Sequence, residues 1–136
     1  MALRYGRATV TDFTPPPLHE LETEVMEEVW ARGEATVRDV QEALNARAAK
    51  VRAYTTVLTV MTRLDGKGML VRRRAGRLDV YAPAMPRSQY LRARAESQVA
   101  ALVDDFGDLA LAHFARHVER LDPERLAELR RLAGEA

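Results

Sequence analysis

Three short runs of helical periodicity follow one another in the first half of the chain, and their order constrains the fold. The first run ends at Gly33, where a helix C-cap is expected. The second begins at Thr36, whose spacing from the acid Asp39 is typical of a helix start, and covers residues 36–47. The third covers residues 53–65 and ends in a glycine-containing turn. Three short helices in this order are typical of a helix-turn-helix unit.

Two short strand-like runs, 69–74 and 77–83, come next and flank Ala75-Gly76. A type I′ turn needs positive φ at both central residues, which Ala resists. We therefore predict a type I turn with Gly76 in a bulge. The hairpin tip is strongly basic, with Arg72, Arg73, Arg74 and Arg77. Three helices and a basic hairpin predict a winged helix-turn-helix domain over residues 17–83.

The third predicted helix has one apolar and one polar side. Its apolar side carries Tyr54, Val57, Val60, Met61 and Leu64. Its polar side and shoulders carry Arg52, Thr55, Thr56, Thr59, Thr62 and Arg63. Thr is β-branched and a mediocre helix former, so four Thr on one helix indicate that an external partner uses them.

Positive charge is concentrated in the same segment. Residues 36–83 hold ten basic and four acidic side chains, whereas residues 1–35 and 84–136 are net acidic. Thr hydroxyls and an Arg fork suit base edges, and the arginines of the hairpin suit phosphates. We therefore predict binding to double-stranded DNA. A winged-helix module that binds an acidic protein surface stays open as the alternative.

Residues 84–136 predict further helices. Ser88 is the expected N-cap of a long helix to Phe106, a second helix begins at Gly107-Asp108, and Asp122-Pro123 opens a third. Their apolar residues exceed what one protomer can bury, so we predict a helical dimerisation region. The predicted interface comprises Leu91, Val99, Leu102, Val103, Phe106, Leu111, Phe114 and Val118.

Several classes of function are disfavoured. The chain has no Cys, which excludes disulfides, thiolate metal sites and Cys nucleophiles. No apolar run reaches the roughly 18 residues of a membrane span, and no signal peptide is apparent, so a cytoplasmic protein without membrane contact is expected. His113 and His117 are four residues apart, but a half-exposed helix face explains them better than a metal site. We predict no enzyme activity and no cofactor, with a metal-responsive or small-ligand-responsive regulator as a further alternative.

Five segments together point to a known family. They are LETEVMEEVW (21–30), TVRDV (36–40), AYTTVLTVMTRL (53–64), KGML (67–70) and YAP (81–83). These segments resemble the penicillinase-repressor family, the BlaI/MecI group of bacterial transcriptional repressors. The similarity covers about residues 18–132, and the run from Tyr54 to Leu64 is its most specific part. Residues 1–16 form a predicted tail that is longer than usual for the family.

The resemblance implies a homodimeric repressor that binds a palindromic operator and controls β-lactamase or related genes. It places Thr55, Thr56, Thr59 and Arg63 at DNA-contacting positions of the recognition helix. In the β-lactam branch, a sensor protease pathway cuts the repressor just before a Phe in the dimerisation region. The matching bond is His113-Phe114, although the best-known members carry Asn where this chain has His113. The copper-responsive branch uses a Cys cluster, which this chain lacks.

Overall fold

A computed structural model of the chain describes residues 14–47 and 50–135. The elements in chain order are α1 (Glu20–Arg32), α2 (Val37–Arg47), α3 (Tyr54–Gly66), β1 (Leu70–Ala75), β2 (Leu78–Pro83), α4 (Arg87–Phe106), α5 (Asp108–Glu119) and α6 (Pro123–Glu135). The predicted fold class, mainly α with a small β-hairpin, is confirmed. The structure divides into one unit of residues 16–90 and a second unit from residue 91 onward. Most of the predicted N-terminal tail, residues 1–13, lies outside the described residues.

The first unit is built around one apolar core to which all three of its first helices contribute. Its fully buried side chains are Val25, Met26, Val29, Val40, Leu44, Val57, Met61, Leu64, Met69, Leu70 and Tyr81. Tyr81 also exchanges two backbone hydrogen bonds of 2.9 Å with Ala35, which lies between α1 and α2. The hairpin is therefore attached to the helices by both packing and backbone pairing.

The helix boundaries predicted around Gly33 and Thr36 are confirmed. Gly33 has a φ of +88° and donates its N–H to Val29 O, which ends α1. The Thr36 N–H donates to Asp39 Oδ2 at 3.0 Å, and the Asp39 N–H donates to Thr36 Oγ1 at 3.1 Å. This reciprocal pair starts α2, and the backbone hydrogen bond from Thr36 lowers the pKa of Asp39.

The predicted hairpin turn is wrong. β1 continues through Ala75, which pairs with Leu78, so the loop consists of Gly76 and Arg77. Gly76 has a φ of +64°, and among the described residues only glycines have positive φ. A two-residue loop with Gly in the first position and positive φ at that position alone fits a type II′ turn, whose twist matches that of the strands.

The predicted N-cap at Ser88 is also wrong. The Pro86 carbonyl accepts the first helical hydrogen bond, from the Tyr90 N–H at 3.1 Å, and α4 begins at Arg87. Tyr90 is buried, and its ring lies 5.7 Å from that of Trp30. Ser88 therefore lies inside the first turn of α4, near a residue that is packed against α1. The predicted cap at Asp122 is confirmed, because its Oδ1 accepts the Arg125 N–H at 2.8 Å.

The second unit has little core of its own. Among the described residues from 91 onward, Ala110 is the only buried one. Seven of the eight predicted interface residues are exposed and Val103 is partly buried, while Leu109 and Leu132 add exposed apolar surface that sequence reasoning did not select. None of the described helices combines the length and apolar composition needed to cross a membrane.

Candidate nucleic-acid interface

The outward face of α3 presents Thr55, Thr56, Thr59, Thr62 and Arg63, all of them exposed. The opposite face is buried, which fixes these side chains on the outside of the unit. The Thr59 hydroxyl donates to Thr55 O at 2.9 Å, so its oxygen can still accept a hydrogen bond. The structure thus brings the five predicted residues of this helix onto one accessible surface.

Tyr54, predicted on the apolar side of α3, is 41% exposed instead. It is the first residue of the helix and lies beyond the edge of the core. The Arg38 guanidinium lies over its ring, 5.4 Å from the centroid. Sequence reasoning did not select Arg38, although it lies in the basic segment and in the first turn of α2.

Two clefts border the exposed face of α3. One, of about 420 Å³, is lined by α3 together with His19, Leu21 and Glu22 at the start of α1. The other, of about 470 Å³, is lined by the first turn of α2, the start of α3 and the hairpin residues 77–79. A helix flanked by such recesses can enter a DNA groove while the backbones on either side are accommodated.

The arginines of the hairpin differ in their partners. Arg73 pairs with Glu34 at 3.0 Å, while Arg74 lies 3.1 Å and Arg72 lies 3.9 Å from Asp79. Arg77, in the turn, has no ion pair with any described residue. These side chains are exposed, so the pairs are weak and phosphate oxygens can compete for the guanidinium groups.

Arg52 is placed differently from the other predicted contact residues. Its side chain is only 22% exposed, and Nη2 lies 4.0 Å from Glu24 Oε2 on α1. Its Nε atom is buried without a hydrogen-bond partner. The structure therefore directs this guanidinium toward α1 and does not bring it together with the Thr side chains of α3.

The second unit holds the remaining candidates. His113 and Phe114 both lie in the middle of α5 and are exposed. No group of three or more His, Asp or Glu residues close enough to bind a metal ion occurs in the part of the chain that the structure describes. An apolar groove of about 360 Å³ is lined by Leu102 and Phe106 of α4 and by residues 109, 110, 113 and 114 of α5.

Comparison with known proteins identifies clear relatives. The family model for the penicillinase repressor matches residues 18–135. The transcriptional regulator BlaI of Mycobacterium tuberculosis strain H37Rv is 40% identical over 121 residues, which cover 87% of this chain and 83% of that protein. The solution structure of the DNA-binding domain of the repressor BlaI is 29% identical, covers 56% of this chain and 90% of that chain, and has a TM-score of 0.49. The Bacillus licheniformis BlaI monomeric form in complex with the blaP half-operator has the same identity and coverage and a TM-score of 0.47.

Proposed function

This chain belongs to the penicillinase repressor family, and we propose that it represses transcription as a homodimer bound to a palindromic operator. It is a DNA-binding transcriptional repressor rather than an enzyme. The observation that carries the proposal is the Thr-rich outward face of α3, held on a packed three-helix core and flanked by a basic hairpin.

We propose that α3 enters the major groove of the operator. Thr55, Thr56, Thr59 and Thr62 then face base edges, where hydroxyls hydrogen-bond and methyl groups contact thymine. Arg63 is exposed and has no ion pair with a described residue, so its fork is available to guanine or phosphate. The wing arginines, Arg72, Arg73, Arg74 and Arg77, contact phosphates.

The homodimer is proposed to form through the helices from residue 91 onward. No core formed by the described residues covers their exposed apolar side chains. A second copy offers an identical surface, and two-fold symmetry of the protein would match a palindromic site. We assign Leu91, Val99, Leu102, Val103, Phe106, Leu111, Phe114 and Val118 to this interface.

Relief of repression is proposed to follow cleavage of the His113-Phe114 bond by a sensor protease. The bond lies within α5, between the exposed apolar residues Leu111 and Val118. A cut there would separate part of the proposed interface from the rest. Because proteases bind extended substrates, α5 must unwind locally before cleavage.

Competition between DNA duplexes tests the proposed function. The purified protein is titrated against a labelled duplex from a promoter whose transcription rises when the gene for this protein is deleted, called the promoter duplex below. The competitors are unlabelled promoter duplex, scrambled duplex of the same composition, and heparin. Displacement by the promoter duplex at concentrations far below those needed for the scrambled duplex supports operator binding. Equal displacement by both duplexes contradicts it and favours a module that binds acidic surfaces.

A further inference from the structure

Two side chains of α2, those of Asn45 and Gln41, bind the backbone of Arg52, a residue shortly before α3. The Arg52 N–H donates to Asn45 Oδ1 at 2.7 Å, and Asn45 Nδ2 donates back to Arg52 O at 3.1 Å. Gln41 Nε2 donates to the same carbonyl at 3.2 Å. Both backbone polar groups of Arg52 are therefore satisfied by side chains of α2.

Arg52 immediately precedes Ala53, the N-cap of α3. The Arg52 side chain is mostly buried, and its guanidinium group lies near the carboxylate of Glu24 on α1. The residue that begins the approach to α3 is thus connected to α2 through its backbone and lies against α1 through its side chain.

Directional contacts at the start of α3 matter because the body of this helix is held mainly by apolar packing, with the pair of its C-cap Lys67 and Glu22 of α1 at the other end. Val57, Met61 and Leu64 are fully buried, and their burial is a non-directional force, whereas hydrogen bonds have preferred distances and angles. Hydrogen bonds to base edges need side chains placed within about 0.5 Å. The orientation of the Thr face therefore depends on where the first turn of α3 is fixed.

We propose that Asn45, assisted by Gln41, is a positioning residue for operator recognition, acting through the backbone of Arg52. This inference rests on the proposed function, because it concerns how α3 is aimed at the operator. Asn45 is itself partly buried and is not part of the Thr surface of α3. Arg52 belongs to the same positioning cluster through its contact with Asn45.

The test uses the full chain with Asn45→Ala and, separately, Gln41→Ala. Asn45→Ala removes the acceptor of the Arg52 N–H and one of the two donors to the Arg52 carbonyl. Gln41→Ala removes only the other donor to that carbonyl. We expect Asn45→Ala to weaken binding to the promoter duplex about tenfold or more, with little change on a scrambled duplex. Gln41→Ala should lower the ratio of the affinity for the promoter duplex to that for the scrambled duplex in the same direction, but by a smaller factor.

Tyr90→Phe serves as a matched control for stability. It removes the hydrogen bond from the Tyr90 hydroxyl to Pro16 O, which is not part of the cluster of Gln41, Asn45 and Arg52. This variant should have a lower melting temperature and an unchanged ratio of the affinities for the promoter and scrambled duplexes. The inference would be overturned if Asn45→Ala bound both duplexes more weakly by the same factor. It would also be overturned if Asn45→Ala, like Tyr90→Phe, left the ratio of the two affinities unchanged. If Asn45→Ala does not fold, an unchanged ratio for Gln41→Ala overturns it instead.

The proposed function can fail separately from this inference. An unmodified protein that shows no preference for the promoter duplex contradicts operator recognition itself. An unmodified protein that has the preference, with variants that keep it, contradicts only the positioning role of Asn45.

Discussion

The buried carboxylate of Glu22 accepts two hydrogen bonds from Lys67 Nζ, at 2.8 and 3.0 Å, and so joins the start of α1 to the C-cap of α3. It also accepts the His19 N–H at 2.9 Å. Burial alone would raise the pKa of Glu22, but the hydrogen bonds from Lys67 and His19 outweigh it and hold the pKa below its ordinary value of 4.5. Glu22 therefore stays ionised beside the exposed face of α3.

We expect Lys67→Met to lower the free energy of unfolding by about 2 kcal/mol near pH 7, less than for a fully buried pair because Lys67 is partly exposed. The substitution leaves a buried carboxylate without its cation. Denaturant unfolding followed by circular dichroism measures the loss. Arg87→Met, which breaks the exposed pair with Glu27, is the control and should have a smaller effect.

The loss caused by Lys67→Met should depend on pH. Because folding lowers the pKa of Glu22, its contribution to stability is present above about pH 4.5 and is lost as the pH falls through the lower folded value. Once Glu22 is protonated, removal of Lys67 no longer leaves a buried charge. The difference between the two proteins should therefore narrow between about pH 7 and pH 3, and a constant difference would contradict this account.

We expect Thr59→Ala to weaken binding to the promoter duplex by about 1 to 3 kcal/mol, with little effect on scrambled DNA, as for other base-edge contacts. Thr59→Val keeps a methyl group and removes the hydroxyl, so the two variants separate contact with thymine from hydrogen bonding. Fluorescence anisotropy on both duplexes measures the effect. Equal weakening on both DNAs would rule out base reading by Thr59.

The partners of the wing arginines lead to a graded prediction. Arg77→Ala should reduce the slope of log affinity against log salt concentration by about one on any duplex. Arg77 makes no ion pair with a described residue, so it can bind a phosphate without first breaking such a pair. Arg73→Ala should weaken binding less, since Arg73 must first break its pair with Glu34. Glu34→Gln should therefore strengthen binding to all duplexes. An unchanged affinity of this variant would show that the pair does not compete with phosphate.

Local sequence features allowed most helix boundaries to be predicted. The reciprocal bonds of Thr36 and Asp39 join residues only three apart, so the pattern alone identifies them. Periodicity also placed four Thr on one side of α3, but it assigned Tyr54 to the core because it cannot tell where the core ends. The hairpin turn was mispredicted because the pairing of Ala75 with Leu78 is set by register, which the turn residues did not reveal.

Contacts between distant residues could not be predicted. Glu34 and Arg73 are 39 residues apart, and Glu22 and Lys67 are 45 apart, so their pairing depends on how the helices and hairpin pack. Asn45 and Arg52 are closer in sequence, but no local pattern indicates that the side chain of one binds the backbone of the other. The sequence therefore indicated the surface that we propose faces the DNA, whereas the contacts between α3 and the neighbouring helices came from the structure.

The proposed dimer predicts that Phe106→Asp separates operator binding from half-site binding. Phe106 is 58% exposed in the protomer and lines the apolar groove between α4 and α5, so a charge there costs the folded protomer little but disfavours burial against a second copy. We expect this variant to sediment as a monomer and to bind a half-site as well as the unmodified protein does. It should bind the full operator far more weakly, because the two DNA-binding domains are no longer linked in one dimer. Phe106→Leu preserves the apolar surface and should remain dimeric.

A shortened chain that ends at Arg94 keeps the contacts of Trp30 with Met85 and of Tyr90 with Pro16, and should behave like Phe106→Asp. If Phe106→Asp and the shortened chain both stay dimeric and bind the full operator tightly, the helices from residue 91 onward are not the interface.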